Sequence, residues 1–293
     1  MNQANQDQNH TPRVSIGLPV FNGGQHIRET IESLLVQTFS DFELIISDNA
    51  STDNTEIICL KYAATDQRIR YFRHTDNLGA AANFKFVFDK ARGEYFTWTG
   101  CDDTRSTNFL EVNLNFMIEN TGYVASTCPN GFDDRSLEDQ TLVVFALDGN
   151  MFERFIQFFD YCWVSHGAFY SLIRSDVLQR CSVLGRSFIA ADWAIILYLA
   201  SKGKVNRTTD GHAIFGASGV SRSADAYKAF RNKPIELIVP LYELTRYTIE
   251  LIDIFTLRQK LKILFILIKM NLLTVIGQFR LWFTRKFHKQ AID

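Results

Sequence analysis

Two adjacent carboxylates, Asp102 and Asp103, follow an apolar run at 94–99. Such a pair repels itself unless a cation or hydrogen-bond donors compensate. Oxygen ligands at a strand end suit Mg²⁺ or Mn²⁺ bridged to a diphosphate, and an acidic turn capping the following helix is the equally weighted alternative. Asp48 closes Ile45-Ile46-Ser47, where a carboxylate can accept a hydrogen bond from a base N–H, while Ser51, Thr52 and Asp53 suit the cap of the next helix. Asp192 stands just before an apolar helix. It is either an N-cap or a general base placed to deprotonate a hydroxyl. Trp163 and His166 could line a sugar site, since an aromatic face stacks on pyranose C–H groups, or could equally be packed core. His212 is a metal ligand or an ordinary histidine. Cys101, with no histidine near it in sequence, reads as a small buried residue rather than a nucleophile.

Positioning these residues falls to a regular alternation of elements. Apolar runs at 14–20, 42–47, 70–73 and 94–99 predict strands, and helical periodicity at 26–38, 55–64 and 79–91 predicts the helices between them. The alternation implies a parallel sheet with helices on its faces, and ligands of such sheets lie beyond the carboxyl ends of the strands. The polar segments 19–24, 48–53 and 100–103 sit at three of those ends. Farther on, 109–119, 152–159 and 193–201 read as helices and 122–127, 142–145 and 168–174 as strands, with Gly203 placed for a left-handed cap.

Composition bounds the rest. With 293 residues, 46% hydrophobic and 22% charged, the chain is globular, and low-complexity and disulfide-knot classes are excluded. A formal net charge of −1 excludes the field that drives non-specific nucleic-acid binding. The average hides an asymmetry: from Arg258 onward there are eight basic residues against one acid, and before it 23 against 31. Five widely spaced cysteines without a C-x-x-C pair indicate a reducing compartment. The polar stretch 1–13 has no apolar run, so a short disordered lead-in rather than a secretory signal is expected.

Taken in order, Val14-Ser15-Ile16-Gly17-Leu18-Pro19-Val20-Phe21-Asn22, Ser47-Asp48-Asn49-Ala50-Ser51-Thr52-Asp53, Asn77-Leu78-Gly79 with Asn83, Asp102-Asp103 and Asp192 form a set far more specific than any member. Over about residues 13–222 it resembles an inverting family 2 glycosyltransferase of the GT-A fold. The resemblance implies an α/β fold, a Rossmann-like mixed, mainly parallel sheet flanked by helices, with a catalytic domain at 14–224 and a helical extension at 225–293. It implies that Pro19, Phe21 and Asn22 pack around the nucleotide and that Asp48 reads the base. Asn77, Gly79 and Asn83 match the segment near the donor. Asp102 matches the metal-binding acid of a D-x-D motif, with Asp103 near the donor sugar, and Asp192 matches the base acting on the acceptor. The implied activity moves a sugar from a nucleotide-diphosphate donor, UDP first, to a glycan or lipid-linked acceptor, assisted by Mn²⁺ or Mg²⁺. Two departures stand out. Gly100 replaces the first acid of D-x-D, and Phe215-Gly216-Ala217-Ser218-Gly219-Val220-Ser221 lacks the Arg or His that many members carry there, leaving backbone N–H groups as the substitute phosphate donors. They keep alive a catalytically inactive glycan-binding or scaffold protein on the same fold. A nucleotidyltransferase would need a basic glycine loop after the first strand, which is missing.

The tail from 261 to 287 alternates apolar runs with Lys262, Lys269 and Arg280. These charges argue against a membrane span and for an interfacial helix pair, with basic side chains snorkelling to anionic headgroups. Peripheral contact through 258–289 on the cytoplasmic face of the membrane is therefore expected. Packing on the catalytic body, or against a second copy in a homodimer, is the alternative.

Overall fold

The computed structural model describes residues 10–132, 146–163, 167–216 and 230–289 of the chain, with side chains as far as 278. Four strands lead: β1 (Val14–Val20), β2 (Phe42–Asp48), β3 (Ile69–Arg73) and β4 (Tyr95–Trp98). Every residue of β1, β2 and β4 is buried. Continuous apolar runs of this kind belong to strands covered on both faces. The crossover helices α1 (Ile27–Leu35), α2 (Thr55–Ala63) and α3 (Ala80–Asp89) supply that cover. β1 pairs in parallel with β2 on one side and β4 on the other, and β2 with β3.

The chain continues through β5 (Thr104–Arg105), α4 (Phe109–Glu119), β6 (Tyr123–Thr127), β7 (Asn130–Phe132), α5 (Met151–Tyr161), β8 (Leu172–Arg174), α6 (Ser175–Leu178), α7 (Ala191–Lys202), β9 (Lys204–Arg207) and β10 (Ala213–Phe215). The main sheet has the order β3-β2-β1-β4-β8-β6-β9, with β8 antiparallel to both neighbours. The winding reverses between β1 and β4, and a crevice opens at the strand ends where such a reversal occurs. A second sheet, β5-β10-β7, holds the segment after Asp103 beside the end of β10. The mixed, mainly parallel sheet flanked by helices is thus the expected one.

Three local expectations are corrected. The strand expected at 168–174 shrinks to Leu172–Arg174, because Tyr170 N–H bonds back to the Gly167 carbonyl in a turn. Gly203 is extended, with φ −175°, and the left-handed residue lies at the other end of α7, at Ala190 with φ 66°. Asp192 therefore sits inside the first turn of α7, not at its N-cap. The strand expected at 142–145 lies outside the described residues.

After a 3-10 turn at Pro234–Leu237 come α8 (Tyr242–Leu251) and α9 (Leu257–Lys289). The expected helix pair at 261–287 is one helix of 33 residues. Thr256 and Gln259 start it with a capping box: Gln259 N–H donates to Thr256 Oγ1, and Thr256 N–H to Gln259 Oε1. Its segment Leu257–Gln278 is long and apolar enough to cross a membrane on length and composition alone. Leu244 and Tyr247 of α8 and Ile263, Leu267 and Met270 of α9 join Phe155, Phe158 and Leu197 in one core cluster.

Candidate active site

Asp48 ends β2 opposite Val20 and Arg73. Its carboxylate is fully buried and engaged: Ser51 N–H donates to Oδ1 at 2.8 Å, and Tyr71 Oη and Arg73 Nη1 donate to Oδ2 at 2.9 and 2.7 Å. Arg73 Nη2 also donates to the Ser51 carbonyl. Burial and then the Asp48 hydrogen bond push the Tyr71 hydroxyl upward, so it stays a donor. Tyr71 and Arg73 were not singled out from the sequence. Their signal was the parallel register of β2 and β3, with residues i and i+2 of one strand facing the end of the next.

The polar loops are interlocked. Asn22, in the left-handed region at φ 52°, donates its N–H to Ser51 Oγ and accepts from Thr52 N–H, each at 2.8 Å. Asp53 accepts from Thr55 N–H and from Gly24 N–H, so it caps α2 and ties down the first loop together. Asn77 Oδ1 accepts from Asn49 Nδ2 and Gly79 N–H, and Asn49 Oδ1 from Leu78 N–H, all at 2.8 Å. Gly79 precedes α3 with φ 83°, a conformation costly for any Cβ-bearing residue. Pro19 is buried in β1 opposite Ser47, whereas Phe21 stands out beside the loop, half exposed. Asn83 is buried, accepting from Ser47 Oγ at 2.6 Å and donating to the Ser47 carbonyl at 3.0 Å, which makes it a brace between α3 and the end of β2.

The two acids after β4 differ sharply. Asp103 is buried, its Oδ2 accepting from Gly100 N–H at 2.7 Å and its Oδ1 from Gly216 N–H at 3.2 Å. Burial raises its carboxyl, and the Arg105 charge opposes that rise. Asp102 is partly exposed at the edge. Gly100 has a spatial reason: a Cβ there would lie 2.9 Å from Asp103 Oδ2. A Cβ on Gly216 would lie 2.1 Å from Asp102 Oδ2, so the end of β10 presses on this acid. Since Asp103 takes the Gly216 N–H, that group is spent as a phosphate donor, and 217–221 lie outside the described residues. Arg105 is buried among the rings of Phe109, Tyr170 and Phe215. No group of three His, Cys, Asp or Glu suited to a metal occurs among the described residues. Asp102 fits a divalent ion as a single carboxylate ligand, with phosphate and water filling the rest of the shell. His212 is exposed and engages Ser106 through its backbone. Burial, with Asp102 and Asp103 nearby, pushes the Cys101 thiol to about 12, so it carries no nucleophilic thiolate.

Asp192 lies in the first turn of α7, next to the buried Trp193. The Tyr170 hydroxyl is pushed well above its ordinary value by burial, then by the charges of Asp103 and Asp192, with Asp102 adding to them. Trp163 is exposed and packs edge-on against Trp193, the neighbour of Asp192, with ring centroids 4.9 Å apart. His166 lies outside the described residues. The sequence-predicted residues therefore fall into a cluster around Asp48 and the strand-end loops, a pair at Asp102 and Asp103, and Asp192 in the first turn of α7, beside the Trp193 on which Trp163 packs.

Comparison with known proteins bears on sequence family and fold. The sequence model described as Glycosyl transferase family 2 matches residues 15–180. An uncharacterized glycosyltransferase of Rickettsia typhi is 36% identical over 108 residues, 37% of this chain and 33% of that protein. TuaG of Bacillus subtilis, whose name assigns it to teichuronic acid biosynthesis, is 32% identical over 148 residues, 50% of this chain and 54% of TuaG. The chain thus spans a third to about half of these relatives' lengths. Among solved structures, S. aureus TarS in complex with UDP-GlcNAc superposes with a TM-score of 0.62 at 18% identity, covering 82% of this chain and 66% of TarS. The mannosyltransferase PcManGT of Pyrobaculum calidifontis, in complex with GDP-Man and Mn²⁺, gives 0.54 at 15% identity, covering 93% and 86%.

Proposed function

The chain belongs to glycosyl transferase family 2, and we propose that it transfers a sugar from a nucleotide-diphosphate donor to a hydroxyl of a glycan or lipid-linked acceptor, with inversion, in cell-surface polysaccharide or glycoconjugate synthesis. The observation that supports this reading best is the interlocked set of polar loops around Asp48, with the Asp102–Asp103 turn after β4, at the strand ends where the winding reverses between β1 and β4. Inversion requires in-line attack at the anomeric carbon, hence a base on the acceptor side and compensation of charge on the departing diphosphate side. Asp192 takes the proton of the acceptor hydroxyl as its oxygen attacks. Asp102 would hold Mn²⁺ or Mg²⁺, which supplies Lewis-acid stabilisation of the diphosphate when bound. Asp103, fixed by Gly100 and Gly216 N–H groups, faces the donor sugar and holds this turn in shape. Asp48, oriented by Arg73 and Tyr71, reads the base with the loops carrying Pro19, Phe21, Asn22, Asn77 and Gly79 around the nucleotide, and Asn83 behind them. Trp163 offers an aromatic face to the acceptor, with His166 beside it in sequence.

TarS and PcManGT carry UDP-GlcNAc and GDP-Man on a shared fold, so fold alone leaves the base open. UDP-sugars are the first donors to test. The basic, apolar C-terminal helix supports a peripheral position on the cytoplasmic face of the membrane, where a lipid-linked acceptor would lie. The test is Asp192→Asn: transfer is lost while diphosphonucleotide binding is kept. Retained transfer would remove Asp192 from the role of base.

A further inference from the structure

α9 has two faces of opposite fate. Ile263, Leu267, Met270 and Thr274 are buried against the body. Asn271 fixes that face, accepting from Leu241 N–H at 2.8 Å and donating to Thr245 Oγ1 at 3.0 Å. On the other side Leu257, Leu261, Phe265, Ile268, Leu272 and Ile276 are 45–74% exposed. Their spacing of four, four, three, four and four residues makes one continuous apolar row. A row of this length is larger than the single exposed apolar residues scattered on ordinary surfaces. Arg258, Lys262 and Lys269, four and seven residues apart and all exposed, run along one border of it.

We propose that this row is a lipid-contacting surface: α9 lies flat in the headgroup region of an anionic bilayer, with Leu261, Phe265, Ile268 and Leu272 entering the acyl boundary and the basic border on the anionic headgroups. This deepens the peripheral-membrane reading above and rests on it. Charge selects the occupant. No acid occurs from Ile254 to Ile292, while Arg280, Arg285, Lys286 and Lys289 add further positive charge. Two copies of α9 packed row to row would bring like charges together with no carboxylate to answer them, whereas an anionic surface supplies the missing charge. The buried face selects the orientation. A helix spanning the bilayer would have to leave the body, separating Ile263, Leu267 and Met270 from the core cluster they share with it and breaking both Asn271 hydrogen bonds. In the plane, all of those contacts are kept.

The full chain is floated with vesicles of phosphatidylcholine alone and of phosphatidylcholine with phosphatidylglycerol, at low and raised salt, alongside gel filtration and UDP calorimetry. Binding to the anionic vesicles only, weakened by salt, is the expected result. Lys262→Gln and Lys269→Gln each weaken it about fivefold. Phe265→Glu with Ile268→Glu weakens it by about tenfold or more while UDP binding is unchanged. A fluorescent Phe265→Trp variant quenched by lipids brominated near the headgroup end of the chains places the row at the boundary. Three results overturn the proposal: no flotation of protein that binds UDP; a dimer that Phe265→Glu with Ile268→Glu converts to monomer; or protein that stays with the vesicles through an alkaline carbonate wash. The first leaves the transferase reading standing, whereas loss of UDP binding by wild type would count against that reading instead.

Discussion

The strand-end face around Asp48 and the outer face of α9 are both open to solvent, and they are built in opposite ways. At the strand ends the polar groups are already committed to one another: Asp48 to Arg73, Tyr71 and Ser51, Asn22 to Ser51 and Thr52, Asn77 to Asn49 and Gly79. Such mutual bonding fixes loops before a ligand arrives, so little ordering is left to oppose binding. On α9 the exposed row Leu257, Leu261, Phe265, Ile268, Leu272 and Ile276 is apolar, with basic side chains along its border. One face is preorganised for a small polar ligand, and the other is incomplete until a surface covers it.

That contrast can be broken or sharpened by substitution, and the largest effect is expected at the chemistry. Asp192→Asn lowers transfer by about 10²–10⁴-fold, with UDP affinity and vesicle flotation unchanged. Steady-state assay and calorimetry on the same sample check this, and a parallel loss of UDP binding would move Asp192 to the donor side. Asp48→Ala removes the acceptor shared by Tyr71 Oη, Arg73 Nη1 and Ser51 N–H, which costs about 2 kcal/mol in urea unfolding and weakens UDP binding, again without touching flotation.

Glu243 is the mirror-image test. It lies on α8, nearly buried, held by Lys233, Arg186 and Arg246. The Lys233 hydrogen bond, against the opposing effect of burial, draws its carboxyl below the ordinary value of 4.5. A lowered folded-state value means that stability is fully present above 4.5 and is lost as pH falls through the lower folded value. Glu243→Gln should cost about 1–2 kcal/mol near neutral pH and flatten the dependence of melting temperature on acid pH. An unchanged acid limb would mean that other carboxylates govern it. The smallest effect belongs to Gly79→Ala. A Cβ there meets nothing within 4 Å, so the cost is the backbone alone, φ 83° with ψ 159°, about 1 kcal/mol by chemical unfolding.

The two regions also differed in how much the sequence disclosed. β1, β2 and α4 are marked by their own apolar pattern, and their observed bounds match the expected ones to within a residue. The strand ends carried the motif residues because a parallel sheet has to put its loops there. β5, β7, β9 and β10 are two to four residues long, too short to show a period, and they exist because distant segments pair. Arg73 and Tyr71 were hidden for the same reason, since their partner Asp48 is set by strand register. Gly100 was legible as a departure from D-x-D, but its cause, the carboxylate of Asp103 standing where a Cβ would go, is a matter of packing. In the tail, composition disclosed the basic and apolar character, while one continuous helix with a buried and an exposed face became visible only once α8 and α5 were in place beside it.

The most direct test of the central claim is calorimetric titration of UDP, GDP, dTDP and CMP, with and without Mn²⁺, into the wild type and Asp102→Asn. The account predicts selective binding of one nucleoside diphosphate, UDP first, strengthened by Mn²⁺ in the wild type and indifferent to Mn²⁺ in Asp102→Asn. A folded wild type that binds none of the four would contradict it, and the fold would then serve as a glycan-binding scaffold rather than a transferase.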